Sequence, residues 1–368
     1  MKTKKILFIT SGSLQDPKRG TPIRIYNFIQ QMQKEHQVIV SAPAVDAGFT
    51  NQFLPYPTGS FWSQVNYFRK ALKKYQPDLV MTATDIDIDL PFWLKFLTGV
   101  KIAIDLHGLV AAEMYFQDQM SGWKSWLLQQ KINFVIRWYD LVFAVSGKLL
   151  GYYGSKIKNG VVIYGGVTEN EFYHDPLRTP EIFTIGYTGN SKSYQGIDAV
   201  LDVAGKIKKL NLFPFRLNLI MSSGRGEIEG RLAELGLSDV ADLRFKVSHE
   251  EVPAMIAQSS VLVIARPKVD MTEYAYPSKL PEYLATGVPV ITTDVGPIGD
   301  LFADQDCIIV ISPDRIEAEL EEVLVRLYRQ APTQRQELGA RAVKFVREHL
   351  RWEVLGERIN QSLEQLRA

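Results

Sequence analysis

Apolar residues follow two alternating rhythms along this chain. Short runs rich in Val, Ile and Leu are separated by longer segments in which apolar positions return every third or fourth residue. The first rhythm is that of a strand buried on both faces and the second that of an amphipathic helix. Their alternation predicts parallel sheets covered by helices on both faces. In the first half the runs predict strands at 5–10, 37–42, 79–82, 101–106, 141–145 and 161–164, with a helix at 22–35 after the first. Segment 170–180 is polar, aperiodic and contains two prolines, so it reads as a linker. A second set of strands follows at 183–187, 216–221, 243–245, 261–265, 288–292 and 307–311, interleaved with helices such as 197–210 and 227–235. Residues 316–328, 333–349 and 353–366 carry helical periodicity only. The expected organisation is a Rossmann-like domain over 1–170, a second over 181–345, and a C-terminal helix at 346–368 that packs back on the first.

Composition narrows the function classes. A length of 368 residues suits two domains of about 150 residues each. Lys+Arg 42 against Asp+Glu 41 leaves a net charge of +1, and no basic run resembles a nucleic-acid footprint, so nucleic acid is not an expected partner. Cys307 stands alone, which excludes an internal disulfide and favours a reducing compartment, and its surroundings predict a place within a strand. The apolar run 6–9 is too short for a signal sequence, and no stretch approaches the ~20 apolar residues of a membrane span. A cytoplasmic protein is expected, with peripheral contact at the inner face of a membrane left open.

The chemistry concentrates in Tyr276-Pro277-Ser278-Lys279-Leu280-Pro281-Glu282-Tyr283, which leads through Gly287 to the strand at 288–292. Ser278 is placed to cap a helix, Pro281 falls in its first turn, and Gly287 can end it before Pro289. Free backbone N–H groups at the start of that helix, with the Lys279 ammonium, suit a diphosphate. Glu282, one turn in, suits ribose hydroxyls. The same residues also fit a plain helix start, with Glu282 complementing the helix dipole and Lys279 solvated.

This segment resembles the donor-binding helix of GT-B retaining glycosyltransferases of family 4, in which two glutamates stand eight positions apart. Glu282 matches the second; at the first position stands Tyr274, with Glu273 one place off. Further segments fall in the family's order. Ser11-Gly12-Ser13 leads through Arg19-Gly20-Thr21-Pro22 to a helix, and Gly20 matches the family's N-terminal glycine loop. Ile104-Asp105-Leu106-His107-Gly108 ends a strand in His107, which matches the family's cleft histidine and by resemblance positions the transferred sugar, while a histidine that only caps the strand is the plain alternative. Phe143-Ala144-Val145-Ser146 and Tyr164-Gly165-Gly166-Val167 resemble the passage between domains, with Tyr-Gly-Gly in place of Pro-Asn-Gly. Thr188-Gly189-Asn190-Ser191-Lys192-Ser193-Tyr194-Gln195-Gly196 resembles the loop that faces the departing diphosphate. There the family's arginine and lysine are replaced by Asn190 and Gln195, leaving Lys192 as the nearby cation. Lys246-Val247-Ser248 matches the base-binding region, and Arg225 reads either as extra positive charge or as an exposed loop residue.

The resemblance implies a GT-B fold, two Rossmann-like domains facing each other across a cleft, and transfer of a hexosyl group from a nucleoside diphosphate sugar to a sugar or lipid-linked acceptor with retention of configuration. It implies His107 and Glu282 as catalytic residues. Gly20, Gly189, Asn190, Lys192, Gln195, Val247, Tyr276, Ser278, Lys279 and Glu282 would bind the donor. An epimerase of the same fold and a non-catalytic sugar-nucleotide-binding subunit are the alternatives. No obligatory cofactor or metal is expected, because no His/Asp/Glu spacing suits a metal and Asp85-Ile86-Asp87-Ile88-Asp89 reads as a strand edge or loop. Aromatic and basic residues mingle at 61–74 and 123–138, which suits either ordinary core packing or contact with anionic lipid.

Overall fold

The computed structural model describes residues 3–15, 20–46, 49, 52–84, 88–169, 180–248 and 250–366. The sequence readings of Arg19, of Asp85 to Asp87 and of most of the linker fall outside them. The chain forms two units. One comprises Met1–Gly165, Tyr274–Tyr276 and Trp352–Ala368, and the other Gly166–Glu273 and Pro277–Arg351.

The first unit is built from β1 (Lys5–Ile9), α1 (Gly20–Gln33), β2 (Gln37–Ala42), β3 (Phe53–Pro55), α2 (Phe61–Tyr75), β4 (Leu79–Ala83), α3 (Asp89–Thr98), β5 (Lys101–Leu106), α4 (Val110–Phe116), α5 (Gly122–Val135), β6 (Leu141–Ala144), α6 (Gly147–Tyr153) and β7 (Gly160–Val162). Its seven strands pair in parallel in the order β3-β2-β1-β4-β5-β6-β7. Alternate residues of β1 serve two cores, as a strand period of two requires. Ile6 and Phe8 pack with Phe28 and Met32 of α1, whereas Leu7 and Ile9 pack with Phe68 of α2, Leu94 of α3 and Ile132 of α5.

The second unit contains β8 (Phe183–Gly189), α7 (Ile197–Lys209), β9 (Phe215–Met221), α8 (Arg225–Glu234), β10 (Ala241–Phe245), α9 (Val252–Ile256), β11 (Val261–Ile264), α10 (Asp270–Glu273), α11 (Lys279–Ala285), β12 (Val290–Thr293), α12 (Ile298–Phe302), β13 (Ile309–Ile311), α13 (Ile316–Arg329) and α14 (Pro332–His349). Its six-stranded parallel sheet runs β10-β9-β8-β11-β12-β13. The last helix, α15 (Trp352–Gln365), belongs to the first unit, where Trp352, Leu355, Ile359 and Leu363 complete the core beneath α1.

The two Rossmann-like sheets follow the hydrophobic rhythm. Three local readings change. β3 carries Pro55 in the Phe53-Leu54-Pro55-Tyr56-Pro57 stretch, and proline is tolerated because β3 is an edge strand. Cys307 sits just before β13 rather than within a strand, and it is buried, which pushes its thiol up to about 11. Ser278 stands at the cap position just before α11, but with helical backbone angles and an exposed side chain that makes no capping hydrogen bond. Among the described residues, no helix is long and apolar enough to cross a membrane.

Candidate active site

Each sheet has a point where the strand order reverses, between β1 and β4 in the first unit and between β8 and β11 in the second. Ligands of open α/β sheets bind beyond the carboxyl ends of the strands at such points. The sequence-predicted site residues can be sorted by this rule.

In the first unit, Gly20 opens α1 with a φ of +64°, a left-handed angle that favours glycine, and an added Cβ would meet nothing within 4 Å. One turn on, Arg24 is buried. Its Nε and Nη2 donate to Asp105 Oδ2 and Oδ1 at 2.9 and 2.8 Å, Nη2 also donates to the Ile163 carbonyl, and Nη1 donates to the Tyr164 carbonyl. A fork of this kind fixes both partners, because the planar guanidinium matches a carboxylate in only one orientation. Burial would push the Asp105 carboxyl up, but Arg24, and then His107, outweigh it and hold the group at about 2. Asp105 is therefore an anion at neutral pH, and His107 Nε2 lies 2.8 Å from its Oδ2. A carboxylate can only accept, so in the neutral imidazole it fixes the proton on Nε2 and leaves the lone pair on Nδ1. That Nδ1 is buried and has no protein partner among the described residues. It can accept a hydrogen bond from a hydroxyl group. Neither Arg24 nor Asp105 was singled out as a site residue from sequence, although Asp105 two positions before His107 at a strand end was a visible signal.

Tyr276 belongs to this unit. Its ring lies 6.0 Å from that of Tyr164 and so close to Gly165 that a Cβ there would approach it to 2.6 Å. This contact gives the Tyr-Gly-Gly turn its reason for glycine. The Tyr276 hydroxyl is buried without a hydrogen-bond partner among the described residues, and burial raises its pKa.

The second unit assembles most of the expected donor-binding residues at one place. Gly189 ends β8, and the loop from Asn190 to Gly196 crosses towards β11. Asn190 Oδ1 accepts from the Lys192 N–H, the Gln195 N–H donates to the Lys192 carbonyl, and Lys192 itself is exposed. Gly196 closes the loop at φ +74°, where a Cβ would stand 1.8 Å from the Ala265 carbonyl oxygen. Only glycine lets the loop sit this close to the end of β11.

α11 is tied to the same loop by the hydroxyl of Tyr283, which accepts from the Thr188 N–H at 2.6 Å and lies 3.2 Å from Thr188 Oγ1. Lys279 is not a solvated surface lysine. It is buried, its Nζ donates to the Thr188 carbonyl at 2.6 Å, and it stands 4.2 Å from the centre of the Tyr187 ring. Burial first, and then the neighbouring Arg266, lower its pKa to about 7, against a smaller upward pull from Glu282. Arg266 directly follows Ala265 at the carboxyl end of β11 and is itself buried. Two cations are thus buried beside each other at the switch point. Arg266 was missed from sequence because an Ala-Arg-Pro stretch after a strand resembles an ordinary solvated loop.

The helix itself offers less than its sequence promised. α11 has seven residues, and the Leu280 N–H is already bonded to the Pro277 carbonyl, so few free N–H groups and little dipole remain. Gly287, with φ +72°, ends it as expected. Glu282 is half-buried in its first turn. Glu273 accepts from the Gly296 N–H in this unit at 3.3 Å, whereas Tyr274 packs against Tyr152 in the other. Val247 lies just past β10, after Lys246 in a left-handed conformation. Arg225 begins α8, stacks on Phe245 at 4.2 Å and pairs with Glu229, so it is the exposed arginine of the plainer reading.

Two family profiles match this chain. One, described as Glycosyltransferase Family 4, covers residues 19–171, and the other, described as Glycosyl transferases group 1, covers residues 182–330. The fold is similar to that of sucrose-phosphate synthase from Thermosynechococcus elongatus, with a TM-score of 0.77 and 18% identity over 99% of both chains. It is similar to that of Anabaena HepE in complex with UDP, at 0.76 and 12% identity over 99% of this chain and 100% of the other. A third similar structure is WaaG, a glycosyltransferase involved in lipopolysaccharide biosynthesis, at 0.69 and 14% identity over 97% and 99%. No curated protein matches the chain significantly.

Proposed function

The chain belongs to the group 1 glycosyltransferases of family 4, with the GT-B fold, and on that premise we propose that it moves a hexosyl group from a nucleoside diphosphate sugar to an acceptor hydroxyl with retention of configuration. The observation that carries this reading is the buried pair Lys279 and Arg266 at the β8–β11 switch point. Burying a charge is unfavourable and a like charge beside it adds to the cost, and the fall of Lys279 to about 7 expresses burial first and Arg266 second. An anion bound there removes the cost. A diphosphate, which gains negative charge as the glycosyl bond breaks, is the anion of this fold that would draw most from it. Arg266 and Lys279, with Lys192 above them, would supply the cations that Asn190 and Gln195 do not.

The other roles follow from position. Glu282 would accept from the ribose hydroxyls, and backbone groups around Val247 would meet the base. Gly189, Asn190, Gln195 and Ser278 would line the phosphate path. His107 Nδ1 would hold a hydroxyl of the transferred sugar or of the acceptor, oriented through Asp105 and Arg24. Gly20 and Tyr276 would complete the acceptor side. Neither the phosphate-neutralising groups nor the hydroxyl-holding groups call for a metal or cofactor. The acceptor would be a sugar or a lipid-linked sugar in polysaccharide or glycolipid assembly, met by peripheral contact of the first unit with a membrane. HepE has been solved with UDP and with UDP-glucose, so these are the first ligands to try.

Calorimetric titration with nucleoside mono- and diphosphates tests the reading. The expected result is that one diphosphate binds the wild type more tightly than its monophosphate, and that Arg266→Met removes at least about tenfold of that difference. Glu282→Ala should weaken both nucleotides alike. Failure of every nucleoside diphosphate to bind, or an unchanged preference for diphosphate in Arg266→Met, would contradict the assignment.

A further inference from the structure

Five of the six tryptophans, Trp62, Trp93, Trp123, Trp126 and Trp138, lie on or beside α2, α3 and α5 of the first unit. These helices cover one face of the seven-stranded sheet, since all three pack into the same core with Leu7 and Ile9 of β1. Phe92 and Trp93 pack partly against that core, but the other four tryptophans of this group and Phe96 face outward. Trp62, Phe96, Trp123 and Trp126 are 55%, 70%, 64% and 61% exposed. Trp62 of α2 lies 5.0 Å from Trp93 of α3, Trp93 lies 5.8 Å from Phe96 of the same helix, and Phe92 of α3 lies 6.1 Å from Trp138 beyond α5.

Helix α5 departs furthest from the ordinary surface helix. Of its residues only Ile132 and Val135 are buried, while Trp123, Trp126, Leu127 and Phe134 are exposed. A surface helix of a soluble domain gathers its apolar residues on the core side; here a second apolar side faces outward. Exposed aromatic residues gathered on neighbouring helices in this way mark an interaction site.

Charge identifies the partner. α2 carries Arg69, Lys70, Lys73 and Lys74, and α5 carries Lys124 and Lys131, with no Asp or Glu in either helix. Across the whole chain acids and bases balance at +1, so this is a local segregation. Asp89 and Asp140 are paired with Lys131 and Lys95, and Asp78 and Glu364 share a cavity with Arg69 and Lys73, which leaves Lys70, Lys74 and Lys124 without an ion pair among the described residues. A protein partner of ordinary composition would call for acids and bases mixed. Tryptophans, which settle at the headgroup level, set beside Lys70, Lys74 and Lys124 on helices that carry no acid fit an anionic bilayer. We propose that the outer face of α2, α3 and α5 is a docking surface for anionic phospholipid. This deepens the peripheral contact suggested above by naming the helices and the lipid charge, and it stands without any assumption about donor or acceptor.

Co-sedimentation of the full chain with vesicles, without nucleotide, tests the proposal independently of catalysis. Vesicles of phosphatidylcholine with about one third phosphatidylglycerol should retain the protein at least about tenfold better than pure phosphatidylcholine, and salt should weaken the binding. The double substitution Trp123→Ala with Trp126→Ala, at exposed positions, should lose about tenfold of it. Lys70→Gln and Lys124→Gln should each lose about fivefold, and only with anionic vesicles. Three results would overturn the proposal: no retention by anionic vesicles, equal retention by the tryptophan variant with unchanged circular dichroism, or a concentration-dependent dimer that the tryptophan substitutions dissolve, which would make a second copy the occupant.

Discussion

Lys279 is the residue whose chemistry is most specific to the proposed reaction. Burial and Arg266 hold its pKa at about 7, well below the ordinary lysine value, so in the folded protein it loses its proton above about pH 7. The unfolded chain still binds that proton up to about pH 10.4. The unfolded state therefore holds more protons between the two values, and this group's contribution to stability rises with pH across that window. A bound diphosphate reverses the preference by stabilising the charged form. Binding of a nucleoside diphosphate at pH 8 should then take up a proton, read as a dependence of the calorimetric heat on the ionisation enthalpy of the buffer, and Lys279→Met should abolish the uptake. A heat independent of the buffer in the wild type would contradict this. The sequence made Lys279 visible through its motif but not its burial, because burial comes from Tyr187 and Thr188, some ninety positions earlier in the chain. Arg266 was invisible for the same reason: its neighbours are set by the close approach of Gly196 to Ala265.

At the scale of elements, the site is held by glycines that let segments touch. The Gly196 turn brings the 190–196 loop onto the end of β11, and Gly339 of α14 lies so close to Gly287 that a Cβ would stand 1.6 Å from its carbonyl oxygen. The first contact places the 190–196 loop against the backbone of Ala265 and Arg266, and the second seats the end of α11. Gly196→Ala combines an unfavourable φ with a backbone clash and should destabilise the second unit by at least about 2 kcal/mol, measured by urea denaturation, with loss of diphosphate binding. Retained stability and binding would show that the loop does not depend on this approach. The strands and long helices could be read from periodicity alone, since each buries a regular face. α11 could not be sized that way: Ser278 and Pro281 mark a helix start, but the Pro277 turn uses the first N–H, so the sequence signal promised a stronger anion cradle than two turns supply.

At the scale of the whole molecule, both units repeat one plan, a parallel sheet whose strand order reverses at a point where loops carry polar side chains. The first unit places the Arg24–Asp105–His107 network and an exposed aromatic, basic face on this plan, and the second places the buried cations. The division of labour was legible in outline, because the glycine loops and His107 fall at predicted strand ends. The basic, aromatic stretches at 61–74 and 123–138 were legible too, but not which way their tryptophans face, because burial is set by the fold. The proposed reaction moves a glycosyl group from a nucleotide to an acceptor. Proton NMR of a nucleoside diphosphate sugar incubated with the protein and a panel of sugar and lipid-linked acceptors tests this most directly. Release of nucleoside diphosphate should depend on acceptor, and the product should keep the anomeric configuration of the donor. Inverted product, acceptor-independent conversion to an epimer, or binding of donor without turnover across the panel would contradict it.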